Sequence, residues 1–328
     1  MEILDLRRVR SSQFKQLFEE EQRSWFEELH WDYRPSAQLI SQFIDARALA
    51  GFAALDGARG VGYTFFVSEE HKGLIGDLFV SRACTGQGIE GALAAHVIET
   101  LRALPRLRRI EAQLIPFGPD SLSRSLLDQK FEVHPRLFMH VPLPQARLAA
   151  TGQAPAALWC WDDRYFEPTA TLIIRSYAGH IDSHINDQYQ SLDGALKFLK
   201  NIIIFPGCGL FQPDASYAAM DGHGQLAGVV LGSMVAPRVG HITQICVLPE
   251  WQGKGLGAHL LAASLEAFRR KRYDAVSLTV TGANLGAVRL YQRFGFTTVK
   301  RFDAFLWDAE LRASTSGRAP AGDPSARS

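Results

Sequence analysis

Apolar positions along the 328-residue chain fall into short β-branched runs and longer amphipathic stretches that alternate. Ile3 to Val9 reads as a first strand, with Ser11 and Ser12 placed to cap a helix behind it. Phe14, Leu17, Phe18, Trp25, Phe26 and Leu29 then recur at near-helical spacing on a charged segment. Leu49 to Leu55, Gly60 to Val67 and Leu74 to Val80 read as strands, the first two joined by the turn pair Asp56-Gly57. An apolar helix through Leu104, a strand from Arg108 to Leu114, a short helix from Pro119 to Leu127 and a strand from Phe131 to Val141 follow. Next come a strand at Leu158 to Trp161 and helices over Glu167 to Ser176 and Leu192 to Ile203. Strands over Ser216 to Met220, Leu226 to Met234 and His241 to Leu248 lead to Pro249, which ends the last of them. From Ala258 to Lys271, Leu260, Leu261, Leu265 and Phe268 mark an amphipathic helix.

The order of elements repeats. Aligning Val80–Gly88 with Val247–Gly255 brings strand, glycine loop and helix into register about half the chain apart. The sequence therefore predicts an internal duplication: a domain over 1–145, a Pro- and Ala-rich linker over 146–157, and a second domain over 158–312. A tail over 313–328, rich in Ser, Ala, Pro, Gly and Arg, reads as disordered.

Composition narrows the function classes. Lys plus Arg number 35 against 34 for Asp plus Glu, so no global charge calls for nucleic acid or a membrane surface. No apolar run approaches the roughly 18 residues of a spanning helix, and charge interrupts the N-terminal stretch too early for a signal peptide. Cys84, Cys160, Cys208 and Cys246 are scattered, which indicates neither a zinc site nor a disulfide framework. The expectation is a cytoplasmic protein, a monomer or weak homodimer, whose partner is a small molecule.

The most informative stretch is Gln252-Gly253-Lys254-Gly255-Leu256-Gly257, set where a buried strand turns into a helix. A helix N-terminus presents unpaired N–H groups and the positive end of its dipole, and glycines let phosphate oxygens approach that backbone. A Walker A loop is ruled out because Gly255, not Ser or Thr, follows Lys254. Gly253, Gly255 and Ala258 formally match a dinucleotide fingerprint, as do Gly86, Gly88 and Gly91 in the first half, which leaves a nucleotide-dependent oxidoreductase as one alternative.

The Gln252-x-x-Gly255-x-Gly257 loop is followed by Asn284, Ala287 and Tyr291, and then by Phe294-Gly295-Phe296. Together these resemble the GNAT superfamily of N-acetyltransferases over residues 215–308. The resemblance implies an α/β (α+β) fold of two tandem GNAT-like domains, each a mixed, mostly antiparallel sheet flanked by helices. It implies acetyl-CoA as co-substrate and direct transfer to a primary amine. Gln252, Gly253, Lys254, Gly255, Leu256 and Gly257 would hold the pyrophosphate, and the backbone of Cys246 and Val247 would pair with the pantetheine arm. Asn284, Ala287 and Tyr291 share a helical face by spacing, with Tyr291 as general acid toward the departing thiolate. In the first half Glu90 stands at the Gly257 position and Thr85 at that of Gln252, and no tyrosine matches Tyr291. A carboxylate there repels a pyrophosphate, so the first domain reads as degenerate.

The acceptor side is read more coarsely. His241 is a candidate base at the start of the strand before the loop. His180, Asp182, His184, Asn186 and Asp187 form a polar segment that suits the lining of a pocket for a small polar acceptor. His180 and His184 stand four apart, but no third ligand accompanies them, so no metal is expected. A non-catalytic acyl-CoA-binding or regulatory module is the remaining alternative.

Overall fold

The predicted strands assemble into one sheet rather than two. The computed structural model describes residues 1–118, 122–148, 156–205 and 208–310. The predicted tail, and the linker apart from its ends, lie outside those residues. In chain order the strands are β1 (Glu2–Asp5), β2 (Gly51–Asp56), β3 (Arg59–Glu69), β4 (Lys72–Val80), β5 (Arg109–Leu114) and β6 (Glu132–Pro142). They continue with β7 (Ala157–Cys160), β8 (Leu210–Phe211), β9 (Tyr217–Met220), β10 (Leu226–Ala236), β11 (Val239–Val247), β12 (Ala275–Thr281) and β13 (Thr297–Asp308). The helices are α1 (Lys15–Leu29), α2 (Arg34–Asp45), α3 (Ile89–Arg102), α4 (Leu122–Asp128), α5 (Phe166–Tyr177), α6 (Ile181–Ile185), α7 (Leu192–Ile203), α8 (Leu256–Arg270) and α9 (Leu285–Arg293). None of the described helices is long and apolar enough to cross a membrane.

The strand order is β1-β2-β3-β4-β5-β13-β6-β12-β11-β10-β9-β7, with β8 beside β10. The closing strands of the two repeats are therefore exchanged. β6, from the first repeat, pairs antiparallel with β12 of the second, from Ala275 opposite Pro142 to Thr281 opposite Arg136. β13, from the second repeat, pairs with β5 of the first and fills the place between β5 and β6. One consequence reaches the functional site: side chains of β6 stand beside the second repeat's strands.

Local chemistry explains where elements start and stop. β1 ends four residues before the predicted Val9, because the Asp5 carboxylate accepts from the Arg7 N–H at 2.8 Å and turns the chain into a 3-10 segment. Ser11 is not a helix cap; its N–H and hydroxyl both bind Asp45, at 2.9 and 2.6 Å. α1 buries Leu17, Phe18 and Leu29, while Phe26 faces solvent. α8 carries the predicted apolar face: Leu260, Leu261, Leu265 and Phe268 are fully buried against the sheet. Each contributes roughly 1.5–3 kcal/mol relative to exposure, which fixes the helix and the loop that opens it.

Candidate functional site

The glycine loop is shaped by backbone conformations that side chains disfavour. Gly253 and Gly255 have φ of 73° and 86°, in the left-handed region, and Gly255 is the residue from which α8 starts. No side chain caps this helix end and its first turn holds no acidic residue, so its N–H groups are left facing outward. Gly257 lies in that first turn; a Cβ there would meet Leu290 and Val247 only at 3.7 and 3.8 Å. Gln252 ties the loop to its strand, Nε2 donating to the Val247 carbonyl at 3.1 Å. Lys254 sits over the Trp251 ring, 5.5 Å from its centre, and does not line the cavity beside the loop.

That cavity measures about 520 Å³ and runs from the loop to Ser176, Tyr177, His180 and Tyr291. A second, of about 120 Å³, continues from Tyr177, Ile245 and Tyr291 toward Asp182, Gln244, Thr281 and Arg136. It exists because two strands part. β11 and β12 run parallel and in register from Val239 opposite Ala275 to Ile242 opposite Leu278, and their pairing stops there. At that point Thr243 is left over in the β10–β11 ladder and its hydroxyl donates to the Leu231 carbonyl at 3.0 Å. Such a bulge bends its strand and switches the faces of the residues beyond it. Beyond it the backbone of β11 on the β12 side has no strand partner among the described residues, an edge that an extended ligand can pair with.

Tyr291 stands where the two cavities meet. It is 6% exposed, held by α9 against Phe296, and burial pushes its phenol pKa above the usual value. Among the described residues no protein group hydrogen-bonds its hydroxyl. Asn284 does not project from the same face: it caps α9, its Oδ1 accepting from the Ala287 N–H at 3.1 Å, and still borders both cavities with Ala287. Tyr177 lies across from Tyr291, accepting from Gln244 Nε2 at 3.2 Å and stacked on Tyr189 with centroids 4.4 Å apart. Cys246 borders the first cavity and packs into the cluster under α5, where burial raises its thiol pKa to about 12. A protonated, buried thiol is a packing residue and not a nucleophile.

The polar segment read as one pocket lining is split by the structure. His180 and Asp182 face the cavities. The Asp182 carboxylate accepts from the Thr281 hydroxyl and lies 3.6 Å from Arg136 Nη1. His180 Nδ1 accepts from the Asp182 N–H at 3.1 Å, opening α6. The other three face elsewhere. Asp187 pairs with Lys72, Asn186 caps the turn after α6 by accepting from the Gln188 N–H at 3.1 Å, and His184 binds Glu132 at 2.7 Å. His241, the predicted base, is corrected most firmly. It is 7% exposed, lines neither cavity, meets Ser277 Oγ at 2.8 Å and packs against Trp31 and Phe138. Burial lowers its pKa to about 3, and the bulge at Thr243 is what turns it from the site.

Sequence reading missed Tyr177, Gln244 and Arg136. Tyr177 ends a helix that was recognised, so its place was within reach of helical spacing. Arg136 carried no signal, because it reaches the cavity only through the strand exchange.

The first half repeats the loop but not the opening. Gly86 and Gly88 have φ of 80° and 79°, matching Gly253 and Gly255, and Gly88 starts α3. Glu90 occupies the first turn of α3, and the cavity there is about 50 Å³. Phe117 packs on Phe79 and Trp25 beside the gap between β4 and β5. Nearby, Tyr63 donates to Glu21 at 2.9 Å and Tyr33 donates to Asp77, and burial raises the pKa of both carboxyls.

A glycine loop at a helix start beside two parted parallel strands is the arrangement of an acyl-CoA-dependent transferase. The chain belongs to the acetyltransferase (GNAT) family, whose family model matches residues 6–118 and 180–296. It is 34% identical over 106 residues to a mycothiol acetyltransferase of Arthrobacter sp. (strain FB24), covering 31% of this chain and 30% of that protein. To a mycothiol acetyltransferase of Thermobispora bispora it is 44% identical over 59 residues, 18% of this chain and 20% of the other. The chain thus spans under a third of the length of these relatives. In fold it is similar to a GCN5-related N-acetyltransferase from Sphaerobacter thermophilus, with TM-score 0.68, 14% identity and 94% and 96% of the two chains covered. It is similar also to a tandem GNAT protein from the clavulanic acid biosynthesis pathway, with TM-score 0.60, 16% identity and 94% and 98% covered.

Proposed function

We propose that the chain transfers an acetyl group from acetyl-CoA to the primary amine of a small polar acceptor, at one site in its second half. The observation that carries this is the pair of cavities joined at Tyr291, one opening on the glycine loop and the other ending at Asp182. The N–H groups from Gly253 to Gly257 bind the pyrophosphate, and the free edge of β11 at Ile245 to Val247 pairs with the pantetheine arm. This aims the thioester at the gap between β11 and β12. The acceptor enters from the Asp182 side, where the carboxylate pairs with its ammonium form and holds the amine near the carbonyl carbon. The ammonium gives one proton to solvent, and the lone pair so freed attacks that carbon. The C–S bond breaks as the Tyr291 phenol gives its proton to the thiolate, and the proton shed by the nitrogen as the amide forms returns through water to the Tyr291 oxygen. Burial raises the phenol pKa above its ordinary value, so Tyr291 enters the reaction with its proton in place.

The first half holds no acetyl-CoA in this reading. Glu90 meets the helix-end donors with its own charge, and the space behind is a tenth of that beside the second loop. Acetyl-CoA consumption measured across a panel of small amines tests the proposal. Turnover with at least one polar amine is expected. Tight acetyl-CoA binding with no transfer to any amine would turn the reading to an acyl-CoA-binding module.

A further inference from the structure

A second group of ligating atoms converges at the seam between the two repeats, outside the cavities. Glu132 and His134 stand two apart on β6 and so share a face of the strand. Opposite them is His184 of α6, and one ligating atom from each of Glu132, His134 and His184 lies within 4.8 Å of the other two. Glu132 Oε2 is 2.7 Å from His184 Nε2 and 3.3 Å from His134 Nε2. Only the first contact is a hydrogen bond. His134 Nε2 is buried and, among the described residues, has no hydrogen-bond partner.

The chemistry of the three atoms is that of a metal ligand set. Imidazole nitrogens and a carboxylate oxygen are common ligand atoms of zinc-class ions. A tetrahedral ion with bonds near 2.0–2.2 Å to nitrogen and oxygen holds its ligand atoms roughly 3.3 Å apart. Of the observed separations, 3.3 Å matches that value, and 2.7 Å needs the half-exposed Glu132 carboxylate to draw back by about 0.6 Å. Glu132 is half exposed, which leaves an entry path and room for water as fourth ligand. The nearest cation, Arg109, does not oppose an ion with a bare charge: it is bound by Glu111 and Asp308 and donates to the His184 carbonyl.

We propose that Glu132, His134 and His184 bind one divalent transition-metal ion of the zinc class. The ion clamps α6 to β6, and so ties the segment that begins with His180 and Asp182 to the strand that carries Arg136. The paired histidines of the sequence, His180 and His184, are not the ligand pair. His180 caps its own helix, and the missing ligands come from a strand about fifty residues upstream.

The test is a Co2+ titration of untagged, chelator-stripped full chain, followed by the visible absorption of four-coordinate Co2+, with Zn2+ displacement and thermal melting in parallel. One Co2+ per chain is expected, displaced by Zn2+, with a melting temperature raised by Zn2+. His134→Ala and Glu132→Gln should each weaken Co2+ binding by about tenfold or more and remove the Zn2+ effect, whereas His223→Ala, at an exposed histidine, should change neither. Glu132→Gln keeps the side chain's shape and decides the matter if His134→Ala folds poorly. Absence of saturable Co2+ binding, or binding untouched by both substitutions, would overturn the site. No readout depends on acetyl transfer, so failure here leaves the proposed activity standing.

Discussion

Tyr291→Phe removes one oxygen at the junction of the two cavities and little else. The ring is buried against Phe296, and no protein group among the described residues bonds the hydroxyl. The substitution therefore leaves no orphaned partner behind, and the stability change should lie within about 0.5 kcal/mol of zero. Acetyl-CoA affinity should also hold, because the loop and the edge of β11 are untouched. What is lost is the proton donor to the thiolate. General acids contribute about 10²–10⁴-fold, so a fall in kcat of about 10²-fold is expected, or about 2.7 kcal/mol of transition-state stabilisation. The raised phenol pKa adds a pH signature. Because the folded value lies above that of a free tyrosine, the donor stays protonated through neutral and mildly alkaline pH, and wild-type kcat should show no alkaline limb from Tyr291 below about pH 10. Calorimetry with acetyl-CoA, and initial rates from pH 6 to 10 on the best amine of a panel, provide the assay. Wild-type kcat in Tyr291→Phe would refute the acid role and return this residue to packing.

Two further substitutions separate residues that the sequence grouped together. Asp182→Ala should raise the acceptor KM with acetyl-CoA affinity unchanged, whereas Asp187→Ala should leave KM alone and cost about 1–2 kcal/mol of stability. The cost stays modest because Lys72 keeps Glu111 at 3.0 Å; kinetics and denaturant melts on both variants check the split. His241 gives a stability signature instead of a rate effect. Its folded pKa, about 3, lies below the unfolded value near 6.5, so the unfolded chain binds the extra proton. Stability from this residue is complete above about pH 6.5 and is lost as pH falls toward 3, at roughly 1.4 kcal/mol per unit; His241→Gln should flatten the stability–pH curve across that window. An unchanged curve would contradict its burial.

Period and punctuation made much of the fold legible. The glycines at 253 and 255 could be assigned to a strand-to-helix turn because a β-branched apolar run precedes them and an amphipathic stretch follows, and both adopt left-handed backbone. α2 was legible but unread: Ala37, Ile40 and Ile44 have helical spacing and are buried, with Pro35 in the first turn. The exchange of β6 and β13 was not legible, since both closing strands carry the pattern of a central strand whichever repeat they join. Arg136 was missed for that reason, and so was the company His184 keeps. His241 shows a different limit. Period-two reasoning puts it on a definite face, and a single bulged residue at Thr243 reverses the answer for everything on one side of it.

The central claim is that one acetyl-CoA site exists and that it is the second loop. Gly257→Glu tests it most directly, by writing the first half's Glu90 into the equivalent turn of α8. The change is tolerable to the fold: Gly257 is helical, a Cβ there meets neighbours at 3.7 Å or more, and glutamate is the better helix former. Isothermal calorimetry with acetyl-CoA should give one site per wild-type chain and no detectable binding to Gly257→Glu, with a melting temperature no lower than wild type. Two equivalent sites on the wild type, or wild-type affinity in Gly257→Glu, would contradict the account.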